Sequence, residues 1–231
     1  MSVIGEAFKN ALDLIINFDP EIFQIVGLSL YVSGIAVVIS TIFGIPLGIL
    51  IGNHNFPGKN ILLRIIYTLM SLPPVIAGLF LFLLFMRRGP LGSFQLNYTP
   101  TVMIIAQICL VTPIIIGLTY NIVREKAPII TKVGYTLGCN SFNRLTLLIR
   151  EMRIGLITAL VSGFGRAISE VGAVMIVGGN ITGKTRVMTT YISQLKTMGD
   201  YATAIAVGLI LLAISFTVNA ILYNLQMRGA K

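Results

Sequence analysis

Residues 22–51 read IFQIVGLSLYVSGIAVVISTIFGIPLGILI and contain no charged side chain. A second uncharged run, PTVMIIAQICLVTPIIIGLTYNIV, occupies residues 100–123. About twenty consecutive apolar residues are enough for an α-helix to cross the hydrocarbon core of a bilayer. Both runs therefore predict transmembrane helices, and the chain is expected to be an integral membrane protein.

The composition of the whole chain supports this interpretation. Of its 231 residues, 55% are hydrophobic and only 11% are charged. Because a soluble domain is about one quarter charged, this chain lacks the ionic side chains that would cover a soluble globule. Soluble enzymes and nucleic-acid-binding proteins are therefore disfavoured, even though the net charge is +9. The single histidine, His54, argues against a histidine-built metal site, and no bound metal is expected.

Five transmembrane spans are predicted from the apolar runs. They lie at residues 22–51, 61–86, 101–123, 154–181 and 201–223. Because proline removes a backbone donor, Pro73-Pro74 and Pro113 are expected to break the second and third spans near their middles. The glycines on either side of Pro46 offer a bend in the first span. The predicted fold class is an all-α integral membrane protein, a five-span helix bundle.

The charges between the spans predict the orientation of the chain. Ten basic and two acidic residues lie on one side, in residues 52–64, 124–153 and 224–231. Six basic and five acidic residues lie on the other side, in residues 1–21, 86–100 and 182–200. Lysine and arginine mark cytoplasmic loops, so the N-terminus is expected outside and the C-terminus inside. Residues 1–20 are then an extracytoplasmic amphipathic segment, and residues 21–231 form one transmembrane domain.

The longest polar connection, residues 124–153, is predicted to form two helical stretches around a glycine. Ala127-Pro128 could open the first stretch, Gly138 provides a turn, and an apolar stripe that starts at Phe142 follows at helical spacing. Two interpretations fit this pattern. The loop is either a docking element for a partner protein or a basic juxtamembrane loop that binds lipid headgroups.

Arg166 and Glu170 lie deep within the fourth predicted span. A charge at the middle of a bilayer costs about 2.5–3.5 kcal/mol, and such a residue is a functional hypothesis by default. The i,i+4 spacing allows the two to pair on one helix face, which Ser162 and Ser169 share. One interpretation is a neutralised pair that only joins two helices. The other is a polar path at the centre of a dimer, where Arg166 attracts an anion and Glu170 orients it.

Residues 178–185, GGNITGKT, satisfy the P-loop pattern G-x-x-x-x-G-K-[ST]. A nucleotide-binding P-loop follows a buried strand, whereas a membrane span precedes this stretch, so bound nucleotide is not expected. The backbone N–H groups of a glycine-rich turn can still hold an anion, which leaves an anion contact at the outer mouth or an ordinary solvated turn. Arg87 and Arg88 belong either to this mouth or to a surface that docks another protein. The anion contact would use Gly179, Asn180, Gly183, Lys184, Thr185 and Arg186.

The stretch YTLGCNSFNRLTLLIREMRIGL, residues 135–156, resembles the cytoplasmic EAA loop of ABC importer permeases. Thr136-Leu137-Gly138 matches the Thr-Leu-Gly of that loop. Lys132-Val133-Gly134 stands where Glu-Ala-Ala is usual, and Ile149-Arg150 stands where Leu-Pro is usual. The resemblance implies that the loop couples this chain to a separate ATPase subunit. The coupling residues that it implies are Lys132, Val133, Tyr135, Leu137, Gly138 and Phe142.

A second stretch, GFGRAISEVGAVMIVGGNITGKTRVMTTYI, covers residues 163–192. It closely resembles tungstate-type ABC importer permeases, and more loosely the molybdate and sulfate ones. The resemblance implies the fold of type I (MetI-like) importer permeases. It also implies a subunit that is not itself an enzyme and that translocates a tetrahedral oxyanion, most simply tungstate, with molybdate, sulfate or another anion as the alternative.

The same resemblance implies the partners and the location. These are two copies of an ATPase that binds ATP and Mg²⁺, an extracytoplasmic oxyanion-binding protein, a second copy of this chain, and the lipid of the plasma membrane. No cofactor is expected on this chain, and no nucleic acid is an expected partner. An alternative of a different class is an anion carrier driven by an ion gradient. Such carriers usually contain two similar halves, and no repeat is visible in this sequence.

Overall fold

The computed structural model describes Gly5 and residues 20–228, with side chains described as far as residue 224. Within this part the chain is helical, with eight α-helices, one short 3₁₀ turn at Gly92–Phe94 and no strand. The amphipathic segment predicted for residues 1–20 lies outside the described residues except for Gly5 and Pro20. The helices are α1 (Pro20–Asn53), α2 (Lys59–Met70), α3 (Pro74–Phe85), α4 (Pro100–Thr136), α5 (Ser141–Ile168), α6 (Gly172–Gly178), α7 (Met188–Met198) and α8 (Tyr201–Arg228).

Three of these helices, α1, α4 and α8, are individually long and apolar enough to cross a membrane. Two further pairs reach that length only together: α2 with α3, bent by 98°, and α5 with α6, bent by 53°. If each bent pair counts as one span, the described part of the chain has five spans, the number predicted. The prediction of an all-helical membrane protein is confirmed.

Prolines affect these helices unequally. Pro73-Pro74 separates α2 from α3 as expected, because Pro74 occupies a first helical position, where its missing N–H costs nothing. Pro113 and Pro128 lie inside the continuous helix α4, so the break expected at Pro113 and the helix start expected at Ala127-Pro128 are wrong. Helix α1 also continues through Pro46 without interruption, and the bend expected there stays a prediction. The physical reason is that packing on neighbouring helices outweighs the loss of one backbone hydrogen bond.

Helix α4 is at the centre of the bundle, where it contacts α1, α2, α3, α5 and α6. Its closest neighbour is α1, which presents three glycines to it. A Cβ atom added at Gly48 would lie 2.6 Å from the Cβ of Thr119, and one at Gly52 would lie 2.5 Å from Cγ1 of Val123. Small residues at such positions let two membrane helices approach until their backbones nearly touch. We call this contact, made by Gly44, Gly48 and Gly52, the glycine seam.

The bundle has two ends that differ in their connections. At one end, the Gly138 end, α1 finishes, α2 starts and α4 turns into α5. At the other, the Gly183 end, Gln24 Nε2 at the start of α1 donates to the Gly183 carbonyl at 3.2 Å, and Arg186 pairs with Glu21 at 2.9 Å. Helix α7, which no sequence pattern predicted, lies between Gly183 and α8.

The glycine seam leads to a prediction about stability. Gly48→Ala should destabilise the protein by about 1–3 kcal/mol, because its methyl group has no room against Thr119 and the Ile116 carbonyl. Gly34→Ala in the same helix is the matched control, since nothing lies within 4 Å of its added Cβ. That control should be neutral or stabilising by up to about 1 kcal/mol through helix propensity. Thermal unfolding of both variants in detergent measures the difference, and equal melting temperatures would contradict the packing argument.

Candidate functional site: an ion pair at a broken helix

The predicted span 154–181 is interrupted between α5 and α6. Ser169–Val171 is not helical, although this segment contains no proline. Side chains donate hydrogen bonds to carbonyls around the break, and two of these carbonyls, those of Gly165 and Ala167, also accept from backbone N–H groups. Ser169 Oγ donates to the Gly165 carbonyl at 2.7 Å, Gln107 Nε2 to the Ala167 carbonyl at 3.0 Å, and Thr189 Oγ1 to the Glu170 carbonyl at 2.9 Å. Because each unsatisfied backbone group in hydrocarbon costs several kcal/mol, these side chains stabilise the break.

Arg166 and Glu170 form an ion pair across this break. Arg166 Nη2 lies 3.6 Å from Glu170 Oε2. The expected pairing is therefore present, but Glu170 lies beyond the end of α5 and not on a continuous helix face with Arg166. A second contact fixes the Glu170 side chain, because its Oε1 accepts a hydrogen bond from the Ala173 N–H at 3.1 Å. Its side chain is 4% exposed and that of Arg166 is 35% exposed, so the carboxylate is fixed inside the bundle while the guanidinium reaches the surface.

One face of α5 is polar and open in the described part of the chain. Thr158 and Ser162 are exposed on it, and Arg166 follows them at helical spacing. Ser169, which caps the end of α5, is exposed beside them. A Cβ added at neighbouring Gly165 would find no atom within 4 Å. We call Thr158, Ser162, Arg166 and Ser169 the α5 polar face. Hydroxyl and guanidinium groups on the surface of a membrane helix normally face protein or water and not lipid.

Two residues of this site, Gln107 and Thr189, were not predicted from the sequence. Gln107 is 3% exposed near the start of α4, and besides the Ala167 carbonyl its Nε2 contacts Ser33 Oγ at 3.4 Å. Its Oε1 has no hydrogen-bond partner in the described part of the structure. Thr189, at the start of α7, supports Glu170 from the other side. An amide inside the uncharged run 100–123 was a signal for Gln107, whereas nothing in the sequence pointed to Thr189.

The GGNITGKT stretch is a tight turn between α6 and α7, with no strand on either side in the described region. Gly179, Asn180 and Gly183 have positive φ angles of 70°, 52° and 72°. Thr185 is fully buried, and its hydroxyl donates to the Gly178 carbonyl at 2.6 Å and accepts from the Ile181 N–H at 2.9 Å. The glycines and the threonine of the P-loop pattern therefore have a structural role here: they form and close a tight turn.

The remaining residues of this turn have different surroundings. Asn180 Nδ2 donates to Gln194 Oε1 at 2.7 Å. Arg186 is neutralised by Glu21, and its guanidinium lies 5.0 Å from the ring centre of Tyr191. Lys184 is exposed. The anion contact expected at this turn stays a prediction, and Lys184 is the cation in it that is open to solvent.

The turn between α4 and α5 differs from the expected form. It is not a separate helical element, because its two arms are the ends of the long helices α4 and α5. Gly138 makes the turn with a φ of 65°, and Asn140 caps α5 by accepting from the Asn143 N–H at 2.8 Å. Arg144 lies over the ring of Tyr135, 3.9 Å from its centre. The six residues expected to couple to an ATPase are all exposed: Lys132, Val133, Tyr135, Leu137, Gly138 and Phe142.

Comparison with known proteins places this architecture in a family. Residues 44–229 match the family described as binding-protein-dependent transport system inner membrane component. The chain belongs to this family. Its members are membrane components of ABC transport systems and work with an ATPase and a substrate-binding protein. The prediction of a multi-pass permease subunit, with ATP hydrolysis on a separate subunit, is confirmed by this membership.

Individual relatives within the family transport oxyanions according to their names. A tungstate uptake system permease protein, TupB, from Peptoclostridium acidaminophilum is 50% identical over 98% of this chain and 99% of its own length. A TupB from Campylobacter jejuni is 34% identical over 98% of this chain and 95% of its own length. A sulfate transport system permease protein, CysW, from Synechococcus elongatus is 30% identical over 90% of this chain and 77% of its own length.

The carboxylate of Glu170 leads to a prediction about the break between α5 and α6. Glu170→Ala removes both the Arg166 partner and the acceptor for the Ala173 N–H, and should lower stability by about 1–3 kcal/mol because a buried donor loses its partner. Glu170→Gln keeps an oxygen for Ala173 and should lose less than the alanine variant. Thermal unfolding in detergent measures both. A glutamine variant that is no more stable than the alanine variant would show that the hydrogen bond to Ala173 contributes nothing.

Proposed function

We propose that this chain is the membrane-spanning permease of an ATP-driven importer of a tetrahedral oxyanion, most simply tungstate. The observation that carries the proposal is a guanidinium, Arg166, that is paired to a buried carboxylate and still open on the α5 polar face. The 50% identity to a tungstate uptake permease supports tungstate. The relative named for sulfate supports sulfate as the second candidate, since it is also a tetrahedral dianion.

The ion pair accounts for both attraction and release of the anion. Arg166 provides a positive charge where a dianion would otherwise meet an apolar barrier. Glu170 offsets part of that charge and is fixed by Ala173, so it does not follow the anion. A site in a transport path must bind well enough to admit the ion and weakly enough to release it. A cation with a permanent counter-charge satisfies both requirements.

The α5 polar face also supports assembly with a second copy of the chain. In one chain this face leaves three hydroxyl-bearing residues and a guanidinium uncovered. Two copies related by a two-fold axis would place the same face on both sides of one interface. Arg166 of each copy would then lie near a common axis, on a polar path that neither copy forms alone.

Charge distribution supports the orientation of the complex. The Gly138 end holds the basic excess, so it lies in the cytoplasm, with the N-terminus outside and the C-terminus inside. Two copies of the ATPase, which carry ATP and Mg²⁺, dock there on exposed apolar side chains, of which Leu137 and Phe142 are 69% and 75% exposed. The oxyanion-binding protein docks at the Gly183 end, where Arg87, Arg88 and Lys184 are exposed.

Removal of the open cation tests the proposed function. Arg166→Ala should lower tungstate uptake into cells or proteoliposomes roughly ten- to hundredfold, the value of a hydrogen bond to a charged group. Arg64→Ala, which removes an exposed arginine of α2, is the matched control and should leave uptake unchanged. Membrane insertion is checked by the amount of protein in the membrane fraction. If uptake by the Arg166 variant persists with an unchanged half-saturation constant, the pair is only structural.

Thiol labelling tests the orientation. In a Cys109→Ala background, Cys139 beside the Gly138 turn should be protected from a membrane-impermeant reagent added to intact cells. Thr182→Cys, in the turn at the Gly183 end, should be labelled under the same conditions, because Thr182 is exposed. Permeabilised cells provide the control that Cys139 can react. Labelling of Cys139 from outside intact cells would reverse the orientation and remove the proposed ATPase contact.

A further inference from the structure

Two cavities lie side by side at the Gly138 end. The first has a volume of about 730 Å³ and lies among the end of α1, the start of α2 and the last turns of α4. The second has a volume of about 750 Å³ and lies among α1, α4 and the start of α5. Asn53, Thr131 and Tyr135 line both cavities. The two are therefore neighbouring compartments of one recess.

The first compartment is cationic. Lys59, Arg124 and Lys132 line it, together with three asparagines, and none of its described lining residues is acidic. Lys59 is held in place because its Nζ donates to the His54 carbonyl at 2.8 Å and to Asn55 Oδ1 at 3.3 Å. Arg124 and Lys132 are exposed, and their side chains have no hydrogen-bond or ion-pair partner in the described part of the chain. This compartment has the charge and the donors that a phosphate group requires.

The second compartment is mostly apolar. Its polar edge is formed by Ser141 and by Arg144, which lies over Tyr135 and donates to Ser141 Oγ at 3.0 Å. Leu50 and Ile149 are 57% and 42% exposed, so this wall is open to the surroundings of the helices. Its aliphatic lining residues are Ile45, Ile49, Leu50, Leu145, Leu148 and Ile149.

We propose that the recess binds one anionic phospholipid. The headgroup phosphate lies in the cationic compartment against Lys59, Arg124 and Lys132, and the glycerol and acyl chains pass Tyr135 into the apolar compartment. An inorganic anion would use only the first compartment and leave the second without an occupant. A phospholipid matches both, and its phosphate lies at the height where spanning helices leave the membrane and where basic side chains meet anionic headgroups.

A bound lipid in this place would contact the segment that leads to the Gly138 turn. Lys132 and Tyr135 belong both to the recess and to the residues expected to couple to the ATPase. Helix α4 would then be held from the side by a lipid as well as by α1 and α5. The proposal concerns lipid binding by this chain alone, and it does not depend on which anion is transported.

Titration of the purified full-length chain with phosphatidylglycerol, followed by native mass spectrometry, tests the proposal. Arg124→Gln and Lys132→Gln should each weaken binding about fivefold, because a basic residue near an anionic surface contributes about that factor. Arg150→Gln and Arg153→Gln remove exposed charges at the same end but outside both cavities, and should bind as the unmodified chain does. Arg124→Lys keeps the charge and should retain binding, which separates loss of charge from loss of fold.

Competition distinguishes the possible ligands. Phosphatidylcholine should bind more weakly than phosphatidylglycerol, and inorganic phosphate should not displace the bound lipid. Displacement by inorganic phosphate would make the recess a free-anion site and overturn the proposal. Equal loss of binding in the Arg150 and Arg153 variants would reduce the effect to general surface charge. If the Arg124 and Lys132 variants keep the lipid but lose a co-purifying ATPase, the recess is a protein-docking surface and not a lipid site.

Discussion

A carboxylate inside an apolar bundle must be neutralised and hydrogen-bonded, and Glu170 meets both conditions at a place where the helix itself is interrupted. Arg166 supplies the counter-charge, the Ala173 N–H supplies a donor, and Thr189 supports the adjacent carbonyl. Removing one member of such a buried arrangement leaves the others without partners, which is more costly than the net contribution of any single bond. The break between α5 and α6 and the ion pair therefore depend on each other.

The packing around this site follows from close helix approach. Van der Waals contact and interhelical hydrogen bonds stabilise a membrane bundle, because lipid is as apolar as the side chains that it replaces. The glycine seam brings α1 against α4, and a second close approach brings Gly78 of α3 against Ala173 of α6, where an added Cβ would lie 2.7 Å from the Ala173 Cα. The second contact holds α6 beside the break. A small residue thus lets α3 pack closely on the helix that follows Glu170.

Features that depend on local chemistry could be predicted from the sequence, and features that depend on distant partners could not. The uncharged runs predicted the spanning helices, Pro73-Pro74 predicted one break, and Gly138 predicted a turn. The break after Ile168 was not predictable, because Gln107 of α4 and Thr189 of α7, which donate to carbonyls at the break, are distant from it in sequence. The break predicted at Pro113 was wrong for the converse reason, because the helices packed around α4 keep it continuous there. The P-loop pattern described a real turn, but its spacing alone could not distinguish a turn closed by Thr185 from a nucleotide site.

The continuity of α4 has a mechanical consequence. With 37 residues and a rise of 1.5 Å per residue, the helix is a rod about 55 Å long. The glycine seam contacts this helix between its two ends and is the point about which the helix would tilt. A tilt imposed at the Gly138 turn would therefore move the opposite end of α4. That end carries Gln107, which donates a hydrogen bond to the Ala167 carbonyl. A displacement of the turn would thus be transmitted through Gln107 to Ala167, the residue next to Arg166.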